Sequence, residues 1–275
     1  MLLAFDVGNT NIVLGVYQNR ELLENWRIET DRHKSADEYG MIINDLFAYA
    51  GLSTKDVDDI IISTVVPSIT YTLQHLSVKY FDAVPIVVGP GVKTGLVIKY
   101  DNPKQVGSDR IVNAVAALNK YGGPLIVIDY GTATTFCAVT GNGEYLGGCI
   151  MPGVKISSNA LFEKTANLPR VELEPPGKTI CRNTIDGIQA GVIYGTMGST
   201  EVIVQRMKKE MESFVPEGSQ IKVIATGGMA SMIASEVPCI DHVDKLLTLT
   251  GLELIYEKNK NSNAGRRIKP DDNAE

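Results

Sequence analysis

Two short polar turns contain the residue types best suited to binding phosphate. The first is Asp6-Val7-Gly8-Asn9-Thr10-Asn11, and the second is Asp129-Tyr130-Gly131-Thr132-Ala133-Thr134. Glycine lets the backbone approach a phosphate closely, and Thr and Asn side chains can donate hydrogen bonds to it. An aspartate after a buried strand is costly unless it meets a cation or donor, and Mg²⁺ prefers one or two carboxylates plus phosphate oxygens. Each turn therefore predicts a phosphate and magnesium site, although the same residues also occur in plain hairpin turns.

The two turns share their surroundings. Each lies between apolar runs that predict strands, and the aspartates are 123 residues apart in a chain of 275. A strand–turn–strand unit repeated at half-length predicts a duplicated domain and favours phosphate binding over turn chemistry alone. When the two turns are aligned position by position from their aspartates, Thr132 corresponds to Asn9 and Ala133 corresponds to Thr10.

A third group of polar residues opens a helix predicted over residues 106–120. Gly107 permits close backbone approach, and Asp109 and Arg110 lie in the first turn, where backbone N–H groups lack helical partners. Asp109 could simply stabilise the helix dipole. Arg110 gains nothing from that dipole, so a ligand role is favoured for it, with its guanidinium as a fork for a carboxylate.

The remaining pattern alternates strands and helices. Ser35 and Glu38 form a predicted capping box before the first helix, and Thr184 is a candidate cap for a long helix over 185–214. The glycine-rich segment 89–95 is followed by a predicted strand over 96–100, so it reads as a turn and not as a phosphate loop. This order predicts an α/β protein with mixed sheets.

The turns resemble the phosphate-1 and phosphate-2 loops of the actin, hexokinase and Hsp70 ATPase superfamily. The segment 225–229, with Gly227 and Gly228 after a predicted strand, is similar to the adenosine motif of that superfamily. The resemblance implies duplicated ribonuclease H-like domains, with mixed sheets flanked by helices and the active site in the inter-domain cleft. The expected domains are residues 1–120 and 121–258, and the polar residues 259–275 are expected to be a disordered tail.

The order of the motifs narrows the resemblance. With Gly107–Arg110 between the two turns and Gly147–Gly153 after them, the chain closely resembles type III pantothenate kinase from residue 1 to about residue 258. This resemblance implies transfer of the γ-phosphoryl group of ATP to the primary hydroxyl of pantothenate, the first step of coenzyme A synthesis. Asp109 matches the general base of the family, and Arg110 would meet the carboxylate or amide of pantothenate.

The resemblance also assigns binding residues. Tyr100, Gly107 and Ser108 match substrate-pocket positions, and Thr184 matches a substrate contact supplied by the dimer partner, although an N-cap role explains Thr184 equally well. A homodimer with residues 154–194 at its interface is therefore expected. The implied ATP-binding residues are Asp6, Val7, Gly8, Asn9, Thr10, Asn11, Ile12, Val13 and Thr132. Asp6 would hold Mg²⁺, directly or through water, and Asp129 a monovalent cation, K⁺ or NH₄⁺.

Composition excludes other classes of function. The net charge of −6 argues against a broad electrostatic contact with nucleic acid or anionic lipid, so phosphate must be bound locally. No apolar run is long enough to span a bilayer, and no signal peptide is expected. The four cysteines have neither disulfide-framework nor zinc-site spacing, which fits the reducing cytoplasm.

Two rival functions stay open on the sequence alone. One is a non-catalytic, nucleotide-dependent regulator or an accessory factor for gene expression, which the intact Asp109-Arg110 pair disfavours. The other is a kinase for a different sugar or acid, or a phosphatase, since fold does not fix substrate.

Overall fold

The computed structural model describes residues 1–263, and it divides into two compact units. Of the described residues, unit 1 comprises 1–95, 104–116 and 248–263, and unit 2 comprises 96–103 and 117–247. The predicted boundary after residue 120 thus falls within a helix, and the last helix of the predicted second domain groups with unit 1.

The first half of the chain supplies five strands and two helices. They are β1 (Leu2–Val7), β2 (Asn11–Gln18), β3 (Glu21–Glu29), α1 (Ala36–Tyr49), β4 (Asp59–Thr64), α2 (Pro67–Phe81) and β5 (Ile86–Val87). They form one sheet in the order β3-β2-β1-β4-β5, antiparallel from β3 to β1 and parallel from β1 to β5. The inner faces pack on α1 and α2 in one apolar core that includes Phe5, Leu14 and Phe47.

The rest of the chain as far as residue 263 supplies six strands and five helices. They are β6 (Val97–Ile98), α3 (Ser108–Tyr121), β7 (Leu125–Tyr130), β8 (Ala133–Val139), β9 (Glu144–Pro152), α4 (Val154–Lys164), α5 (Thr184–Met211), β10 (Lys222–Thr226), α6 (Ala230–Ala234), β11 (His242–Val243) and α7 (Leu247–Asn263). The second sheet has the order β11-β10-β7-β8-β9-β6. Its core, with Ile128, Phe136 and Ile193, packs against α5 and α6.

The internal repeat is visible in strand order and burial. In each unit an antiparallel meander (β1-β2-β3 or β7-β8-β9) is extended by a parallel strand beside its first member (β4 or β10). β1 and β7 also share one burial pattern, with Asp6 and Asp129 as the half-buried fifth residue. The predicted duplicated α/β fold is confirmed.

The two turns of the repeat differ in length. Between the last paired residues Val7 and Ile12, the first turn has four residues, whereas Tyr130 and Thr134 enclose three. The position-by-position comparison is therefore wrong after the glycine. The strand starts Asn11 and Ala133 correspond, which makes Thr132 the counterpart of Thr10 and not of Asn9.

Three other elements differ from prediction. The strand expected over 96–100 pairs only at Val97–Ile98. The long helix expected over 185–214 begins one residue earlier and ends at Met211. α7 continues to Asn263, five residues into the expected tail, and residues 264–275 lie outside the described part of the chain.

Candidate functional site

The phosphate-1 turn of unit 1 joins β1 to β2. It lies at the edge of the sheet where the parallel strands β1 and β4 both end. Asp6 pairs with Val13 on one side and Ser63 on the other, and it is half-buried. The Gly8 N–H donates to the Asn11 carbonyl at 3.0 Å and closes the turn. Asn9 and Thr10 are exposed at its tip, so their side chains can reach a ligand.

The start of α3 is fixed against the same edge of the sheet. Ser108 Oγ donates to the Thr64 carbonyl at 3.0 Å, and Ser63 Oγ donates to Ser108 Oγ at 2.9 Å. Because Ser63 is the register partner of Asp6, these bonds hold the first turn of α3 next to the strand end that carries Asp6. Unit 1 therefore brings the predicted residues 6–13 and 107–110 together.

Asp109 folds back over the beginning of α3. Its Oδ1 accepts a hydrogen bond from the backbone N–H of Arg110 at 2.8 Å. A side chain at Gly107 would displace this oxygen from its position. Burial raises the pKa of Asp109, while the Arg110 N–H bond and the positive charge of Arg110 oppose that rise. A carboxylate with a raised pKa is a better proton acceptor than an ordinary one.

Arg110 follows Asp109 into a buried position with 6% of its surface exposed. The pair thus places a fixed cation and a carboxyl group with raised pKa in one helical turn, which suits an acceptor that carries both an anionic group and a hydroxyl.

In unit 2 the phosphate-2 turn packs closely on the adenosine-motif turn. Asp129 pairs with Thr226 at the end of β10, and Gly227 follows. A Cβ on Gly227 would lie 2.5 Å from Asp129 Oδ1 and 2.7 Å from the Tyr130 backbone. Gly227 also has φ +94°, a conformation that other residues rarely adopt. Both turns therefore meet at the sheet edge where the parallel strands β7 and β10 end.

The other side of the phosphate-2 turn contacts the start of α4. Thr132 is exposed, and its carbonyl lies so close to Gly153 that a Cβ there could not fit. Gly153 is the N-cap of α4 and has no side chain to cap the helix. Because the Thr132 carbonyl lies against Gly153, the helix start is in direct contact with the turn.

Tyr100 lies beside β9. The backbone N–H of Lys99 donates to the Tyr145 carbonyl at 2.8 Å, which ends the pairing of this segment with β9. The Tyr100 ring then covers Gly147, whose added Cβ would lie 3.6 Å from the ring. Gly147 has φ +127°, so the glycine fits both the backbone and the aromatic contact.

Thr184 is not the N-cap of α5. Asn183 has that role, because its side-chain oxygen accepts from the Asp186 N–H at 2.9 Å. Thr184 is the exposed first residue of the helix and lines a groove of about 640 Å³ with Met151 and Ser157. The capping explanation for Thr184 is therefore wrong.

Within residues 1–263, no group of three or more His, Cys, Asp or Glu side chains could hold a metal ion.

Sequence reasoning missed Thr30 and Arg32. Thr30 Oγ1 donates to the Gly8 carbonyl at 2.8 Å, and Arg32 Nη2 donates to Asn9 Oδ1 at 3.0 Å. Neither residue belongs to a motif. The pairing of β3 with β2, which brings Glu29 opposite Asn11, is what carries them to the turn.

No helix in the described part of the chain combines the length and apolar character needed to cross a membrane.

Solved structures share the fold. A Campylobacter jejuni protein described as a Baf family transcriptional activator is 20% identical, with TM-score 0.55, covering 94% of this chain and 99% of its own. A Sinorhizobium meliloti protein described as a 2-dehydro-3-deoxygalactonokinase is 10% identical, with TM-score 0.55 and the same coverages.

A Porphyromonas gingivalis protein described as an N-acetylglucosamine kinase is 12% identical, with TM-score 0.50, covering 94% of this chain and 100% of its own. At these identities the likenesses establish a common fold, and they carry no information about substrate.

The match to a family model is more specific. The model for type III pantothenate kinase matches residues 2–206, which include both phosphate turns and the Gly107–Arg110 segment. The chain belongs to the type III pantothenate kinase family.

Proposed function

We propose that Asp109 is the general base in the transfer of the ATP γ-phosphoryl group to pantothenate. As a member of its family, the chain is a kinase that uses ATP with a divalent metal ion and phosphorylates pantothenate in coenzyme A biosynthesis. The residue roles below are the parts that we propose.

The observation that carries the proposal is the position of Asp109 beside the phosphate-1 edge. The Ser63–Ser108 and Ser108–Thr64 bonds hold its helical turn against the strand end with Asp6. In the reaction, the pantothenate hydroxyl oxygen forms a bond to the γ-phosphorus as the bond from that phosphorus to the bridging oxygen breaks. The hydroxyl proton passes to Asp109, and ADP leaves with the bridging oxygen.

The substrate contacts follow from charge and reach. Arg110, buried in the same turn, pairs with the pantothenate carboxylate or amide, and Gly107 and Ser108 form the adjacent wall. Tyr100 supplies an aromatic surface next to Gly147. Thr184 contacts the substrate bound by the partner subunit, and its exposed position without a capping role supports this assignment.

ATP is bound by residues 6–13 and Thr132, with backbone N–H groups and hydroxyls as the phosphate ligands. Asp6 holds Mg²⁺, directly or through water, and the ion supplies charge neutralisation on the phosphates. Asp129 binds a monovalent cation, K⁺ or NH₄⁺. The close approach of Gly227, whose added Cβ would lie 2.5 Å from Asp129 Oδ1, puts this carboxylate beside the adenosine-motif turn and supports a role in the nucleotide site.

A homodimer forms through α4 and α5. Gly187, Gly191 and Gly195 recur every fourth residue on an exposed face of α5, and an added Cβ at each would meet no atom within 4 Å. Large apolar side chains are also exposed on α4 and α5, namely Ile156, Phe162, Ile185 and Val202. Small residues allow a second backbone to approach closely, and exposed apolar surface marks an interface.

The compartment is the cytoplasm. All four cysteines are free thiols, which fits a reducing environment.

The test measures ADP release with and without pantothenate, in Mg²⁺ with K⁺ and in Mg²⁺ with Na⁺. Pantothenate-dependent ADP that is faster in K⁺ supports the reaction and the cation site together. Well-folded protein that releases ADP equally with and without pantothenate would contradict the proposal, and a panel of sugar and hydroxy-acid acceptors would then identify the acceptor.

A further inference from the structure

The segment from Thr30 to Arg32 wraps around the tip of the phosphate-1 turn. The Thr30 N–H donates to the Thr10 carbonyl at 3.0 Å, and Thr30 Oγ1 donates to the Gly8 carbonyl at 2.8 Å. Arg32 Nη2 donates to Asn9 Oδ1 at 3.0 Å. Three consecutive turn residues, Gly8, Asn9 and Thr10, are thus each held by this segment.

The segment is itself anchored to the core. The Tyr39 hydroxyl accepts from the Asp31 N–H and donates to the Asp31 carbonyl, both at 2.8 Å. Tyr39 is fully buried on α1, a helix whose start is fixed by the capping box of Ser35 and Glu38. The backbone on both sides of Asp31 is therefore rigidly placed, and the Arg32 side chain projects from a fixed point.

Arg32 carries an available positive charge at the turn. Its side chain is exposed, and within residues 1–263 its guanidinium makes the Asn9 hydrogen bond and no ion pair. The neighbouring cation Lys34, by contrast, lies 3.9 Å from the carboxylate of Asp31. A guanidinium has five N–H donors and binds phosphate oxygens in pairs, so one bond to Asn9 leaves most of this capacity unused.

We propose that Arg32 is a phosphate-binding residue of the nucleotide site, held at the phosphate-1 turn by Asn9 and positioned by Thr30, Asp31 and Tyr39. This inference rests on the proposed binding of ATP phosphates at residues 6–13. In a chain with net charge −6, phosphate binding depends on a few local cations. Arg110 is committed to the acceptor in our assignment, and Arg32 is a cation that contacts the phosphate-1 turn directly.

The test compares variants in calorimetric titrations with Mg-ATP and with AMP. Arg32→Gln retains an amide that can donate to Asn9 but lacks the charge, and Arg32→Ala lacks both. The matched control is Arg27→Ala, which removes an exposed arginine from β3, outside the segment that holds the turn. Circular dichroism and thermal unfolding confirm that each variant is folded.

We expect both Arg32 variants to bind ATP about ten- to a hundredfold more weakly, the loss typical of a charged hydrogen bond. AMP affinity should stay within about twofold, because AMP lacks the β- and γ-phosphates, and Arg27→Ala should match the parent for both ligands. ATP affinity in Arg32→Gln equal to the parent would overturn the inference, since charge would then be irrelevant. Equal losses for ATP and AMP would also overturn it, by showing that Arg32 only shapes the turn.

These outcomes are distinguishable from failure of the proposed function. A parent protein that binds no ATP would contradict the proposed nucleotide site itself. A parent that binds ATP and releases pantothenate-dependent ADP, with an Arg32→Ala variant of unchanged affinity, would contradict the role of Arg32 alone.

Discussion

Replacing Gly227 with alanine should destabilise unit 2 far more than the same change at another left-handed glycine. Gly227 has φ +94°, and Gly218, also in unit 2, has φ +77°. Forcing an L-residue into this region costs about 1–2 kcal/mol at either site. At Gly227 the new Cβ would also lie 2.5 Å from Asp129 Oδ1 and 2.7 Å from the Tyr130 backbone, whereas at Gly218 it meets nothing within 4 Å.

The clash at Gly227 adds about 1–3 kcal/mol, the usual cost of overpacking, so the total is about 2–5 kcal/mol against about 1–2 kcal/mol at Gly218. Thermal unfolding should therefore begin at a lower temperature in Gly227→Ala than in Gly218→Ala, by about 2–12 °C. Differential scanning calorimetry of both variants beside the parent measures this. Equal midpoints for the two variants would refute the close approach of the adenosine-motif turn to Asp129.

Three further predictions concern titration, assembly and a buried acid. Because burial raises the pKa of Asp109 in the free enzyme, kcat/KM for pantothenate should fall with decreasing pH at values above the ordinary carboxyl range, and a kcat/KM that stays flat down to pH 4 would contradict this. Gly191→Leu puts a large side chain into the α5 groove, where an added Cβ meets no atom of the same chain within 4 Å. Sedimentation should therefore detect monomers whose thermal midpoint is intact, and persistent dimers would place the interface elsewhere. Burial also raises the pKa of Glu253, so the free energy of unfolding falls as the pH rises through that pKa and the side chain ionises. Urea titrations should therefore show that Glu253→Gln stabilises the protein at pH 7 but not at pH 4.

Local chemistry made part of the fold predictable. The Ser35 and Glu38 pattern predicted a capping box, and both of its hydrogen bonds are present. The apolar runs around the two aspartates predicted β1, β2, β7 and β8, because such strands bury both faces in the centre of each sheet. The duplicated architecture followed from these runs together with the repeated polar turn between them.

Other features depend on tertiary contacts that no local pattern encodes. The polar end of α7 was predicted to be unstructured. It is helical to Asn263, and Asn259 within it is buried, with its side chain bonded to both the N–H and the carbonyl of Lys93 at 3.0 and 2.9 Å. The glycine-rich segment 89–95 supplies those backbone partners, so its role as a turn was predicted while its contact with α7 was not.

The candidate site shows the same division. Asp6, Asp129 and Asp109 were recognised because they lie in motifs with defined spacing. Thr30 and Arg32 were missed because they reach the phosphate-1 turn only through the register of β3 on β2. The one-residue difference between the two turns was also missed, since it becomes evident only when the strands are paired.

The central claim is that Asp109 accepts the proton of the pantothenate hydroxyl, and Asp109→Asn tests it most directly. An asparagine oxygen can still accept the Arg110 N–H bond, so the helix start should be preserved. The measurement is pantothenate-dependent ADP release at saturating ATP and pantothenate, with ATP affinity determined separately. We predict a fall in kcat of about 10²- to 10⁴-fold with unchanged ATP affinity. A variant that turns over at a rate comparable to the parent would contradict the account.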